Sequence, residues 1–274
     1  MQSELIITVL TDNNPAEGLL CEWGLSFHIG YGGKRYLLDT GSTDAFAANA
    51  MALGIDLAAV DVAVLSHAHY DHTGGTAAFL AANPKAPVHL SPSARENCWS
   101  RHGLKMKYIG LPECILQSER MVREDGIISL DRGVWIVPHS GCCRDRKKVA
   151  RKSGLFVRKE WRFVPDDFAH ERSLVFRTAK GLVVLNSCSH TGPEAIIQEV
   201  EAAVPGEKVY AYIGGLHLFR LNAAEVGKTA DRLAESGLEK IYTGHCTGDE
   251  AFSVLKEKLG ERVELFRPGM IMEF

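Results

Sequence analysis

The chain has 274 residues, 46% of them hydrophobic and 24% charged, with a formal net charge of -3 at pH 7. These are ordinary globular values, so disordered and fibrous classes drop out, and the slight negative charge gives no reason to expect nucleic-acid binding. A chain of this length can bury a sizeable core as one αβ unit, and residues 1–274 are read as a single domain. The seven cysteines (Cys21, Cys98, Cys114, Cys142, Cys143, Cys188 and Cys246) form an odd set with no framework spacing, which points to a reducing compartment. The start lacks the basic residues and cleavage site of a signal peptide, and no apolar run reaches the roughly 18 residues that span a bilayer. The expectation is a cytoplasmic protein with no membrane association.

In chain order, Leu5 to Leu10, Leu25 to Ile29 and Arg35 to Leu38 read as strands, the last two joined by a glycine-rich turn. Asp39-Thr40-Gly41 closes the third strand, and Ser42 or Thr43 can cap an alanine-rich helix that runs to Leu53 and stops at Gly54. Val62 to Ser66 is short and continuously apolar, as expected of a strand buried on both faces. A helix over Thr76 to Ala82 and a strand over Val88 to Ser91 follow. The second half reads as two hairpins, Gly126–Leu130 with Val134–Val137 and Ser173–Thr178 with Leu182–Asn186. Three strand-and-helix units (182–204, 209–236, 241–259) and a last strand over Val263 to Arg267 complete it. Two sheets with helices outside give an α/β four-layer αβ/βα sandwich, with the chemistry on loops at strand C-termini between the halves.

Residues 142–162 break the pattern. Nine cations stand against Asp145 and Glu160, a local +7 in a chain of net -3. The plain reading is a solvated surface loop. The alternative is a lid-like insertion that attracts an anion, in which Lys147, Lys148, Arg151 and Lys152 would touch substrate.

The most informative segment is His67-Ala68-His69-Tyr70-Asp71-His72-Thr73-Gly74-Gly75. Four side chains able to bind metal follow a buried strand within six positions. In extended chain alternate residues share a face, so His67 and His69 can hold one ion together, and a turn then aims Asp71 and His72 at a second. Imidazoles with a carboxylate suit zinc first, with iron or manganese as alternatives.

In this motif the sequence resembles the metallo-β-lactamase superfamily, and Asp39-Thr40-Gly41 looks like the buried turn that supports that family's ligand loop. The segment Asn186-Ser187-Cys188-Ser189-His190, with Gly214-Gly215-Leu216-His217 and Gly244-His245-Cys246-Thr247-Gly248, is similar to a subgroup around the ribofuranosylaminobenzene 5′-phosphate synthases. Asn186-Ser187 departs from the Thr-Gly usual there. The resemblance implies that His67, His69 and His190 hold one metal and Asp71, His72 and His245 the other. Cys188 lies near the place of a bridging carboxylate or thiolate in relatives, and His170 where others put a third histidine, so both stay open as ligands. His217 is open between a catalytic or substrate-binding role and a structural one.

Two metals sharing a water would supply the nucleophile, with Asp71 orienting it and His217 protonating the leaving group. The expected function is metal-dependent hydrolysis of a small, anionic or phosphorylated ester. Lactone or other ester hydrolysis, iron-based redox chemistry and a non-enzymatic metal-stabilised sensor or scaffold are the alternatives, because the fold alone does not choose among them. The partner expected is a small molecule.

Overall fold

The computed structural model describes residues 5–95, 97–139 and 154–274. Eighteen strands are described: β1 Leu5–Thr11, β2 Ser26–Tyr31, β3 Lys34–Leu38, β4 Val62–Val64, β5 Val88–His89, β6 Cys98–His102, β7 Lys105–Tyr108, β8 Met121–Val122, β9 Ile128–Asp131, β10 Val134–Pro138, β11 Leu155–Lys159, β12 Arg162–Pro165, β13 Arg172–Thr178, β14 Gly181–Leu185, β15 Val209–Ile213, β16 Lys240–Thr243, β17 Val263–Leu265 and β18 Ile271–Glu273. They form two seven-stranded sheets, β18-β1-β2-β3-β4-β5-β8 and β17-β16-β15-β14-β13-β10-β9, and a four-stranded sheet, β12-β11-β6-β7.

The two large sheets are built alike. In each, a run of antiparallel pairs gives way to parallel ones, at β3–β4 in the first and β14–β15 in the second. Parallel strands need crossovers, and the helices supply them: α1 Ala45–Ala52 and α3 Thr76–Ala82 in the first half, α5 Pro193–Ala203, α6 Ala223–Glu235 and α7 Asp249–Leu259 in the second. Two single-turn helices, α2 Tyr70–Thr73 and α4 Glu113–Leu116, complete the set.

Period-two alternation sorts the strands' side chains into layers. Leu38 and Val64 from the first sheet meet Val183, Leu185, Ala211 and Ile213 from the second in the central core. The alternate residues Leu37, Ala63 and Leu65 face Phe46 and Phe79 of the first helical layer. On the far side, Leu182, Val184 and Tyr212 face Ile196, Val200, Ala230, Leu233 and Leu255 of the second. Helix, sheet, sheet, helix is the arrangement the sequence led us to expect. Each such fully buried aliphatic side chain is worth about 1.5–3 kcal/mol, so both strand faces pull the same way.

Some expectations need correction. The third sheet was not foreseen, and residues 155–159 at the end of the basic stretch pair with 162–165 as a hairpin of that sheet. Lys147, Lys148, Arg151 and Lys152 lie outside the described residues. Asp44 flanks the first helix, while Thr43 Oγ1 accepts from the Ala45 N–H at 3.1 Å. Among the described residues no helix is long and apolar enough to cross a membrane.

Candidate metal centre

Apart from His170, which follows the antiparallel β12, the candidate ligands follow the C-terminal ends of parallel strands: His67 to His72 after β4, Cys188 and His190 after β14, His217 after β15 and His245 after β16. Strand C-termini in α/β sheets open on a shared crevice, which is where ligands bind. Four of the non-glycine residues with positive φ are Asp39 (60°), Ser189 (52°), His217 (51°) and His245 (43°), so backbone strain concentrates at this edge.

Asp39 organises the first half of the centre. One oxygen accepts from the Ser66 N–H at 2.7 Å, and the other accepts from Ser66 Oγ at 2.7 Å and from His72 Nδ1 at 2.8 Å. Ser66 Oγ, its proton given to Asp39, in turn accepts from His67 Nδ1 at 2.8 Å. Both histidines therefore carry their proton on Nδ1 and turn an unprotonated Nε2 into the centre, the tautomer a metal ligand needs. His245 is oriented in the same way by Asn13 Oδ1, 3.1 Å from its Nδ1, but there burial is outweighed by Asp71 and Cys246, which raise its pKa to about 9, so a metal would have to displace its proton.

In the second half, Glu171 does the positioning. Its buried carboxylate accepts from the backbone N–H groups of His190 (2.7 Å) and Thr191 (2.9 Å) and from Thr191 Oγ1 (2.7 Å). Phe168 stacks on the His190 ring at 4.6 Å. Asn186, where the sequence departs from the subgroup, accepts from the Ser189 N–H at 2.7 Å and donates to Ser173 Oγ at 3.0 Å, holding the turn that presents Cys188 and His190.

The ring atoms left over converge. Nitrogens of His67, His69 and His190 lie within 4.8 Å of one another. Asp71 Oδ2 is 3.7 Å from His72 Nε2 and 3.6 Å from His245 Nε2. Cys188 Sγ is 3.2 Å from His72 Nε2 and 3.5 Å from Cys246 Sγ, which makes both thiols neighbours of the second cluster. His217, half-buried, joins Cys188 and His190 in a further group. His170 forms a group of its own with His69, Cys98 and Asp166, ligand atoms within 4.8 Å of one another, in which its Nε2 is 3.2 Å from Asp166 Oδ2 while its Nδ1 accepts from the Ala68 N–H at 3.3 Å.

The donor atoms of this cavity suit a cation. His67 Nε2, His69 Nε2, His245 Nε2 and both ring nitrogens of His190 are buried without a hydrogen-bond partner among the described residues, a costly state for polar atoms unless something binds them. Burial holds the His67 and His190 imidazoles well below their usual pKa range and His69 down to about 3, so their lone pairs are free of protons at neutral pH. Burial pushes the Asp71 carboxyl up, but His72 and His245 outweigh it and keep the group ionised. The donor set of imidazoles, a carboxylate and thiols fits transition metals.

Glu171, Phe168, Asn13 and Cys246 were not singled out from the sequence.

Residues 24–147 match the family model described as Metallo-beta-lactamase superfamily. The chain is 29% identical over 260 residues, 88% of its length and 85% of the other's, to a Methanocaldococcus jannaschii protein named 7,8-dihydropterin-6-methyl-4-(beta-D-ribofuranosyl)-aminobenzene-5′-phosphate synthase. Among solved structures it is similar to Tm1679, a metal-dependent hydrolase of the beta-lactamase superfamily, with a TM-score of 0.82 and 27% identity over 98% of this chain and 99% of that one. The metallo-β-lactamase fold protein YhfI from Bacillus subtilis aligns over 100% of both chains with a TM-score of 0.59 at 14% identity, a likeness of fold.

Proposed function

We propose that this chain, which has the metallo-β-lactamase fold and carries a domain of that superfamily, is a metal-dependent hydrolase with a two-metal centre acting on a small anionic ester. The observation that carries the reading is the convergence of unpaired, proton-free ring nitrogens from both halves of the chain on one crevice. His67, His69 and His190 would hold one ion, and Asp71, His72 and His245 the other, with Cys188 at hand beside His72. When bound, two divalent ions supply Lewis-acid polarisation of the ester and lower the pKa of water toward neutrality.

The chain's own residues do the rest. Asp71, ionised and fixed between His72 and His245, accepts a hydrogen bond from the attacking water and orients it. His217 lines the pocket with its Nδ1 unpaired among the described residues, and it is assigned as proton donor to the leaving group. The cations Lys147, Lys148, Arg151 and Lys152 support an anionic substrate on sequence grounds alone. A second reading, bond formation on a phosphorylated substrate, is favoured by the synthase name of the M. jannaschii relative.

The deciding experiment is metal analysis joined to a turnover panel of phosphodiesters, phosphomonoesters and lactones. Close to two equivalents of transition metal and metal-dependent hydrolysis of an anionic ester are expected. Full activity after chelation would overturn the mechanism, and metal binding with no hydrolysis would favour the second reading.

A further inference from the structure

Glu171 holds one end of the turn that carries His190, through the N–H groups of His190 and Thr191. The other end, at Asn186, is the start of a line of hydrogen bonds that leads away from the centre. Asn186 Oδ1 accepts from the Ser189 N–H at 2.7 Å, and Asn186 Nδ2 donates to Ser173 Oγ at 3.0 Å. Ser173 Oγ is in turn 2.6 Å from His139 Nε2, and His139 Nδ1 is 2.8 Å from Glu199 Oε2. Four elements contribute one residue each: Glu199 from α5, His139 from just past β10, Ser173 from β13 and Asn186 from just past β14. Neither His139 nor Glu199 is among the residues that line the pocket over the histidine cluster.

The chemistry of the donors assigns the protons. The Asn186 oxygen is used on the Ser189 N–H, so its amide gives an N–H to Ser173 Oγ. Ser173 has one hydroxyl proton and, having accepted from Asn186, gives it to His139 Nε2. The ring then carries its own proton on Nδ1 and donates it to the Glu199 carboxylate. Every bond runs the same way, from the turn toward the helix, and each polarises the next. His139, Ser173 and Asn186 are fully buried, so a broken link leaves polar atoms with no water to replace the partner. The turn at the end of this line is strained: Ser189 has a φ of 52°, which a residue with a side chain keeps only when its surroundings impose it. The next residue is His190, whose ring nitrogens have no partner among the described residues. Glu171 and Ser173 are two apart at the head of β13, so a single strand end clamps the turn at both its ends.

We propose that His139 is a positioning residue for the metal centre: backed by Glu199, it fixes the Ser173 hydroxyl and, through Asn186, the strained Ser189–His190 turn, and so sets the direction in which the His190 ring is offered. This rests on the reading of His190 as a metal ligand.

The test loads the full chain with Co(II) and withdraws it with a competing chelator, while the visible absorption of the bound ion records its coordination and melting temperature is taken alongside. His139→Phe, which keeps a ring but neither hydrogen bond, and Ser173→Ala should each weaken cobalt binding roughly tenfold and alter the absorption. Glu199→Ala should weaken it about threefold, and Glu199→Gln, whose amide oxygen still accepts from His139, should restore wild-type affinity and spectrum. Asn83→Ala is the control. The buried Asn83 side chain bonds only the backbone of residues 57–60 and 85–86, so this variant should lose melting temperature with cobalt affinity unchanged. If His139→Phe and Ser173→Ala behave like that control, or Glu199→Gln is no better than Glu199→Ala, the inference is overturned and the metal reading stands. A wild-type chain that binds no cobalt sinks the metal reading itself. Should the two buried variants fail to fold, the Glu199 pair, on a partly exposed helix position, decides alone.

Discussion

Asp39 shows how much of the proposed metal centre would be set by a residue that never touches the ion. Its carboxylate accepts from three donors, and through them it fixes the tautomers of His67 and His72. Asp39→Asn tests this cleanly, because asparagine keeps the shape and tolerates the 60° φ. Its amide N–H₂ would face donors where an oxygen now accepts. Metal affinity should fall roughly 10–100-fold, as for other residues that orient ligands, and a competitive chelator titration would read it. Unchanged affinity would mean that the two rings hold their orientation without Asp39. The same logic separates His190 from His170. Both ring nitrogens of His190 lack a partner among the described residues, whereas those of His170 are taken up by Asp166 and the Ala68 N–H. His190→Ala should therefore strip metal and His170→Ala should leave most of it, as measured by metal content after gel filtration. The reverse result would exchange the two assignments.

At the scale of elements, two separated motifs turn out to be one structure. The Thr40 N–H donates to the His72 carbonyl at 2.8 Å, and the Gly74 N–H to the Gly41 carbonyl at 3.0 Å, so the Asp-Thr-Gly turn is laced to the ligand loop. Gly74 and Gly75 are glycines because a Cβ on either would collide with backbone carbonyl oxygens, those of Ser42 and of Thr40. Gly75→Ala should cost about 1–3 kcal/mol, the usual range for overpacking, and should lower metal content as well as melting temperature. Gly30→Ala in β2, where a Cβ would meet nothing within 4 Å, serves as the control and should be neutral or slightly stabilising. Loss of stability with metal content intact would show that the loop repacks without moving its histidines. The His motif was legible because four side chains able to bind metal, three His and an Asp, fall within six residues. The large sheets were legible because Val62–Val64, Gly181–Leu185 and Val209–Ile213 are apolar on both faces. The small sheet was not: Cys98–His102 and Lys105–Tyr108 are short and mix polar with apolar residues, and β6 pairs with β11 across more than fifty residues. Local pattern carries no signal for such a pairing. The roles of Glu171 and Asn13 were hidden for the same reason, since each acts on a histidine supplied by a distant segment.

For the molecule as a whole, the centre is a seam. Its donors come from both halves, His67, His69, Asp71 and His72 from the first sheet's loops and Cys188, His190 and His245 from the second's. Apart from metal, the halves are held by the central core, where Leu38 and Val64 meet Val183 and Ile213, but the crevice edge leaves buried imidazole nitrogens unpaired. An ion bound there joins the two sheets and relieves those nitrogens at once, and it binds the folded chain alone, because the ligands are scattered in the unfolded one. Linkage then fixes the size of the effect: free metal at a hundred times its dissociation constant stabilises the fold by about 2.7 kcal/mol, and the gain grows with the logarithm of concentration. Melting temperature should accordingly rise with added zinc and fall on chelation. In His67→Ala and His245→Ala, each lacking a ligand from one half, the response to zinc should shrink. A melting temperature indifferent to chelator in the wild-type protein would show that the two sheets close without metal and that the unpaired nitrogens are met by water.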